Sequence, residues 1–308
     1  MRKLVTTLLA RATKRIASKY IAGPDIEDAI RICRRINQHG WRSTICPWDS
    51  PGEKPESVVS SYRKALYAIS GEELDCYLSI KAPSLQYDFA LLKELLDIAS
   101  EHRIRVHFDA LGPDTATPSF ALLEKVAQSY NNLGCTLPSR WKRSAADARR
   151  AIELRVAVRV VKGQWPDPDQ PAVDPRVSFL KLIDLLAGRA EKVAVASHDV
   201  PLASESLARL IKGGTPCELE QLFGLPLRVD RVAQPRGLGI RLYVPYGTSY
   251  LPYALSEIKK RPVILTWLLK DLFADTSQLQ RFLKSPSKLF NHQRTCRLHE
   301  GGREEVLQ

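Results

Sequence analysis

The chain has 308 residues, of which 44% are hydrophobic and 26% are charged, and its formal net charge is +12. This composition is typical of a globular protein with one large core or two smaller ones, and it excludes a mainly disordered chain. No stretch approaches 18 uninterrupted apolar residues and the N-terminus lacks a secretory signal, so we expect neither a transmembrane helix nor secretion.

The six cysteines are scattered, with no CxxC pair among them. In a chain of this length the pattern favours reduced, buried thiols over a disulfide framework or a zinc site. We therefore expect a cytoplasmic protein, with contact at the inner face of the membrane as the alternative considered next.

The N-terminal residues 1–22 carry six basic side chains before the first acidic residue, Asp25. Apolar residues recur there at helical spacing, which predicts a basic amphipathic helix. The favoured interpretation is a helix packed on its own domain, and the alternative is peripheral membrane contact. Nucleic acid is not an expected partner, because no zinc finger, aromatic RNA-binding motif or Lys/Arg block accompanies the charge.

A second helix is predicted in "GPDIEDAIRICRRINQHG", with Asp25 as its N-cap and Gly40 at its end. Eight short apolar runs follow, and helix-like segments lie between most of them. The runs span residues 41–48, 75–82, 103–110, 133–138, 155–163, 192–199, 216–224 and 240–247.

Such alternation predicts a parallel sheet, and eight units in about 220 residues favour a (β/α)8 barrel of the α/β class. Neither a GxGxxG motif after an early strand nor a GxxxxGK[ST] phosphate loop is present, which argues against Rossmann and P-loop proteins. The expected organisation is N-terminal helices at 1–40, the barrel at 41–262, and a helical segment with a polar tail at 263–308.

Polar residues end six of the eight predicted strands. They are Lys81, Asp109, Arg159 with Lys162, Ser197 to Asp199, Glu218 with Glu220, and Tyr243. Active sites of barrels lie at this end of the strands, so we expect these side chains to surround the mouth. A solvated rim charge is the alternative for any single one of them.

Lys81, Arg159 and Lys162 would form a cationic floor for an anionic group, and Gly163 would let the backbone approach a ligand. Trp165 adds a flat stacking surface. An aromatic, phosphate-bearing cofactor such as a flavin satisfies these features. His198 has no second histidine or cysteine cluster nearby in sequence, so no metal is expected.

These strand ends resemble motifs of the proline dehydrogenase family. The runs "VRVVKGQWPDP", "VAVASHD", "CELEQLFG" and "RLYVPYG" are similar to four of the family's strand-end motifs. "YLSIK", "RVHFDA" and the helix before the barrel also match, so the resemblance spans roughly residues 20–262 with all eight strands in order.

The resemblance implies an FAD-dependent oxidoreductase that oxidises proline, or a related cyclic or secondary amine, to an imine by hydride transfer to flavin N5. The reduced flavin would pass electrons to a quinone. The residues implied in catalysis are Lys81, Asp109, Arg159 and Tyr243. Those implied in substrate binding are Leu222, Tyr253, Ser256 and Glu257, and those implied in FAD binding are Arg159, Lys162, Gly163, Gln164, Trp165, Ser197, His198 and Glu220.

Three departures separate this chain from the family pattern. Ser256 and Glu257 stand where the family carries paired arginines for the substrate carboxylate, and Pro138 and Glu220 each replace a glutamine near the flavin. The sequence therefore leaves open a second hypothesis, a catalytically impaired relative that binds a flavin or a partner protein.

Overall fold

The computed structural model describes residues 21–50, 52–169, 173–225, 227 and 229–247. The predicted N-terminal basic helix and the C-terminal segment at 263–308 lie outside the described residues. Eight helices are described, α1 to α8: Ile26–Gln38, Pro55–Gly71, Phe89–Glu101, Ala116–Ala127, Ser144–Glu153, Pro175–Leu186, Val200–Lys212 and Val229–Val232.

Eight parallel strands close into a barrel in chain order, which confirms the predicted (β/α)8 fold. Strands β1 to β8 are Arg42–Pro47, Cys76–Ile80, Val106–Phe108, Leu133–Pro138, Ala157–Val161, Val193–Ala196, Cys217–Leu222 and Gly239–Tyr246. Each lies within one of the eight predicted runs, except that β8 begins one residue earlier. The last strand pairs with the first over six residues, so the sheet has no free edge.

Helix α1 packs on β1 and β8, where the barrel closes. Asp25 occupies the predicted N-cap position with extended backbone, but its side chain makes no capping hydrogen bond. Asp88, Asp174 and Asp199 do cap α3, α6 and α7 by accepting from backbone N–H groups of the first turn.

The apolar core lies between the outer face of the barrel and the surrounding helices. Its largest fully buried side chains include Tyr62, Phe179, Ile36 and Leu66. The barrel axis, in contrast, is filled by polar side chains on alternate strand residues, such as Arg159 and Arg241, which are both 3% exposed. Because side chains alternate across a strand, each strand supplies both the core and the axis.

Within the described part of the chain, no helix has the length and apolar character needed to cross a membrane. The five described cysteines are free thiols, and four of them are buried.

Candidate active site

A cavity of 670 Å³ opens at the carboxyl ends of the barrel strands. Its size lies in the range of about 300–1,000 Å³ that is usual for small-molecule sites. The lining residues alternate on β4 and β5, with Thr136 and Pro138 on the first and Arg159 and Val161 on the second, whereas β7 contributes Glu220, Gln221 and Leu222 in succession. Among the described residues, no side chain fills this cavity.

Arg159 lies at the floor of this cavity and is the centre of its polar network. Its Nε and Nη2 atoms lie 2.9 Å from the two carboxylate oxygens of Glu220, and Nη1 donates to Asp109 at 2.6 Å. The remaining N–H groups donate to the Tyr77 hydroxyl at 3.2 Å and the Thr136 hydroxyl at 3.3 Å. All five N–H groups of the guanidinium thus have partners within the protein.

Two carboxylates around one guanidinium fix its charge state. Burial alone would lower the pKa of Arg159, but the adjacent Glu220, Tyr77 and Asp109 raise it well above its ordinary value. Arg159 is therefore a permanent, rigidly held cation.

Asp109 also accepts a hydrogen bond from the Tyr243 hydroxyl at 2.7 Å. The Tyr243 ring lies over the Arg159 guanidinium, whose central carbon is 5.0 Å from the ring centroid. Burial and the Asp109 charge raise the pKa of Tyr243 well above its usual value, so its hydroxyl keeps its proton. Cys46, 3.7 Å from Asp109, is held as a neutral thiol because burial raises its pKa to about 12.

Lys81 follows directly after β2 in the cavity wall and is ion-paired. Its Nζ is 2.7 Å from Asp49 Oδ1 and 3.2 Å from the Pro47 carbonyl oxygen. Ser84 donates to the other oxygen of Asp49 at 2.7 Å. Burial lowers the pKa of Lys81, but the neighbouring acidic groups, Asp49 among them, raise it overall, so the amine stays charged.

The loop after β5 forms the third wall. Gly163 has a φ of +89°, and a Cβ there would lie 2.8 Å from the Pro138 Cβ. The glycine therefore permits close contact with Pro138, a role that the sequence did not indicate. Trp165 lines the cavity, and its carbonyl oxygen accepts from Trp141 Nε1 at 2.9 Å, which ties the loop to the chain after β4.

At the rim, one carboxylate is shared by two cations. Asp199 contacts Lys162 at 3.0 Å and Arg176 at its guanidinium, and it also accepts from the Leu202 backbone N–H at the start of α7. The cluster of Lys162, Arg176 and Asp199 carries a formal charge of +1. This cluster gives the rim a net positive charge close to Ser197 and His198.

His198 is a neutral hydrogen-bonding residue. The Leu222 backbone N–H donates to its Nε2 at 2.9 Å, so that nitrogen carries no proton. The adjacent Ser197 carbonyl oxygen accepts from Gln221 at 3.2 Å. Among the described residues, no three His, Cys, Asp or Glu side chains are grouped so as to hold a metal ion.

Two expectations from the sequence need correction. Glu218 is not at the mouth: it lies near the start of β7, 2.8 Å from Arg241, 3.0 Å from Arg42 and 3.1 Å from Lys192. Glu218 and Glu220 lie two residues apart on β7, so both side chains are on the same face of the strand. Glu218, however, lies at the end of the barrel opposite to the cavity. The cationic floor is also not free, because each of its three cations is paired with a carboxylate.

The structure brings most of the predicted site residues together around the cavity. These are Lys81, Asp109, Arg159, Gly163, Gln164, Trp165, Ser197, His198, Glu220, Leu222 and Tyr243. Lys162 lies at the rim rather than in the lining, and Tyr253, Ser256 and Glu257 are outside the described residues.

Sequence reasoning missed Trp48, Asp49, Thr136 and Arg176. Trp48 and Asp49 directly follow the first strand, so the same strand-end rule could have found them.

Curated relatives resemble the chain over most of its length. Proline dehydrogenase 1 of Bacillus subtilis is 26% identical over 284 residues, covering 85% of this chain and 92% of the relative. Proline dehydrogenase 2 of the same organism is 22% identical over 275 residues, covering 83% and 90%. A proline dehydrogenase of Deinococcus radiodurans is 24% identical over 271 residues, covering 80% and 86%. No protein-family model matches the chain.

Solved structures match the fold. Proline utilization A of Bdellovibrio bacteriovorus, inactivated by N-propargylglycine, superposes with a TM-score of 0.73 at 15% identity and covers 92% of this chain. A variant of Bradyrhizobium japonicum proline utilization A superposes with a TM-score of 0.66 at 16% identity and covers 89%. The chain spans about a third of the length of these larger proteins, 36% and 33% respectively. The resemblance to the proline dehydrogenase family that the strand-end motifs indicate is therefore confirmed over most of the chain.

Proposed function

We propose that this chain is an FAD-dependent oxidoreductase of the proline dehydrogenase type, oxidising proline or a related cyclic or secondary amine to an imine. The observation that carries the proposal is Arg159, held by Asp109 and Glu220 at the floor of an open 670 Å³ cavity. Relatives called proline dehydrogenases, similar along most of the chain, support the reaction class.

The residues present fit a flavin. The cavity is wide and open, Trp165 gives one wall a flat aromatic surface, and Arg159 offers a fixed positive charge. The rim cluster of Lys162, Arg176 and Asp199 carries a net positive charge, which suits phosphate groups. The residues that would hold FAD are Arg159, Lys162, Gly163, Gln164, Trp165, Ser197, His198 and Glu220.

In the reaction the amine loses a hydride from the carbon next to nitrogen and a proton from the nitrogen, and the C–N bond becomes a double bond. When bound, FAD supplies N5 as the hydride acceptor. Asp109 would accept a hydrogen bond from the amine N–H and so orient the carbon that is oxidised. Tyr243, which keeps its proton, fixes Asp109 from the far side. Lys81 completes the pocket, and Leu222 covers it with apolar surface.

The proposed electron acceptor is a quinone. Peripheral membrane contact through the basic segment at residues 1–22 would bring the chain to such an acceptor, and this contact is part of the proposal.

The second candidate is a relative that retains a flavin or partner site without the reaction. It is favoured by the engagement of all five Arg159 N–H groups within the protein and by Ser256 and Glu257 in the sequence. The two candidates differ in whether any amine reduces the flavin.

Anaerobic addition of cyclic amines to the purified protein tests the proposal. The enzyme should be yellow and should bleach with at least one amine, whereas Arg159→Met should abolish bleaching. Arg209→Met is the matched control, because Arg209 pairs with Asp184 and Glu205 on the outside of the barrel. Protein that stays colourless after refolding with FAD, or that binds FAD but bleaches with no amine, would exclude the oxidoreductase.

A further inference from the structure

Two carboxylates surround the single positive charge of Arg159 at the floor of the cavity. Glu220 accepts from the guanidinium with both oxygens at 2.9 Å, and Asp109 accepts from it at 2.6 Å. All three side chains line the cavity. One guanidinium and two carboxylates have a formal charge of −1, so this cluster is negative rather than positive.

Glu220 is the buried member of the cluster that makes it negative. Its side chain is 2% exposed, and it also contacts the Tyr77 hydroxyl at 3.2 Å and the Thr44 hydroxyl at 3.4 Å. Both of its oxygens accept from a guanidinium, which can only donate, so the carboxylate is ionised. Because solvent hardly reaches Glu220, its charge is screened much less than that of an exposed residue.

The cluster is also fixed in orientation. Arg159 is held on its other side by Asp109, and its remaining N–H groups donate to the hydroxyls of Tyr77 and Thr136. Asp109 is held in turn by the Tyr243 hydroxyl at 2.7 Å. Charges that cannot turn away act on a ligand in the cavity without first being reoriented by it.

The proposed reaction makes a fixed negative charge at this place consequential. A hydride carries two electrons and one proton, so it brings one negative charge to the ring that accepts it. Charges near N1 and N5 of a flavin tune the balance between its oxidised and reduced forms. A carboxylate in the lining therefore disfavours the reduced form by Coulomb repulsion.

On the basis of the proposed function, we infer that Glu220 is a tuning residue that lowers the reduction potential of the bound flavin. The reduced protein is thereby a stronger electron donor to its acceptor, and the amine has to be a stronger reductant. Glu220 acts through its charge alone and exchanges neither a proton nor an electron with the substrate.

Glu220→Gln removes the charge and keeps the size of the side chain. The midpoint potential of the FAD-loaded protein is measured by slow anaerobic reduction with xanthine and xanthine oxidase beside a reference dye. The variant should favour reduced flavin about tenfold more than the wild type, a rise of about 30 mV for a two-electron couple. Glu94→Gln is the matched control, the same substitution in an exposed pair between α2 and α3, and its potential should equal that of the wild type.

Asp109→Asn separates the charge from the hydrogen bonds of one position. It removes the other carboxylate of the same cluster, and its potential should also rise about tenfold in the same ratio. The xanthine system reduces the flavin without an amine, so any loss of amine oxidation in this variant leaves the measurement unaffected. A rise in both variants identifies the charge of the cluster as the cause.

The outcomes distinguish the inference from the proposed function. An unchanged or lowered potential in Glu220→Gln would overturn the inference and leave the proposed function intact. A rise in Glu220→Gln alone would also overturn it, because the new amide rather than the lost charge would then be the cause. If Glu220→Gln retains no FAD, the direction of the shift in Asp109→Asn decides. Wild-type protein that binds no FAD, or that no cyclic amine bleaches, would overturn the proposed function itself.

Discussion

Replacement of Glu220 by glutamine tests whether the Glu220 carboxylate holds Arg159 in place at the floor of the cavity. Glu220 is 2% exposed and accepts from Arg159 at two positions of 2.9 Å and from Tyr77 at 3.2 Å. Glutamine keeps one oxygen but places an NH2 group where the second oxygen was. That group faces an Arg159 N–H, so one charge-assisted hydrogen bond is lost.

The magnitude follows from the partners that remain. Breaking a buried ion pair completely costs about 3–5 kcal/mol, and a hydrogen bond to a charged group contributes about 1.5–3 kcal/mol. Asp109 still neutralises Arg159, and removal of Glu220 relieves its repulsion with Asp109. We therefore expect Glu220→Gln to lower the free energy of unfolding by about 2 kcal/mol.

Urea unfolding followed by circular dichroism measures this difference. Wild type and variant are compared at the same FAD concentration, since bound ligand adds to apparent stability. Glu94→Gln is the control: it makes the same substitution in the Arg63–Glu94 pair, where both side chains are about 40% exposed, and should cost less than about 0.5 kcal/mol. If Glu220→Gln were no more destabilising than this control, Glu220 would not be holding Arg159.

Two further predictions concern other parts of the barrel. Gly163→Ala should cost about 1–3 kcal/mol and weaken FAD binding, because it combines a positive φ with a clash against Pro138. Gly237→Ala also has a positive φ but meets no atom within 4 Å, so denaturation and FAD titration should show only a stability loss. Burial alone would raise the pKa of Glu218, but Arg241 outweighs this effect and the pKa falls from 4.5 to about 2. The ionised Glu218 therefore contributes its full stabilisation of the fold above pH 4.5. About 3 kcal/mol should be lost as the pH falls through about 2, and acid titration of Glu218→Gln should lack this loss.

The fold could be predicted because its signals are local and repeated. Each of the eight apolar runs forms a strand, and the intervening amphipathic stretches force right-handed crossovers, so only few topologies remain. The alternation of side chains along each strand then decides which residues meet at the mouth. Asp109, Arg159 and Tyr243 could be placed there from spacing alone.

The pairing of charges could not be predicted in the same way. Whether Glu220 faces Arg159 depends on the stagger of strands around the closed barrel, which no single strand encodes. Glu218, two residues earlier on the same face, pairs instead with Arg241 at the other end. For this reason the prediction of an unpaired cationic floor from Lys81, Arg159 and Lys162 was wrong. The sequence identified the cations but not the carboxylates that pair with them.

The barrel axis holds two buried ion clusters, one around Arg241 and Glu218 and one around Arg159 and Glu220. Buried pairs rarely stabilise a fold more than apolar residues of similar size would, because desolvation offsets their attraction. The lower cluster meets partly exposed cations such as Lys192, so its desolvation is incomplete. The upper cluster is almost fully buried and lies directly beneath an open cavity, where apolar side chains would have packed at less cost. The proposed reaction would use such a cluster as a fixed charge whose orientation does not change when a ligand enters.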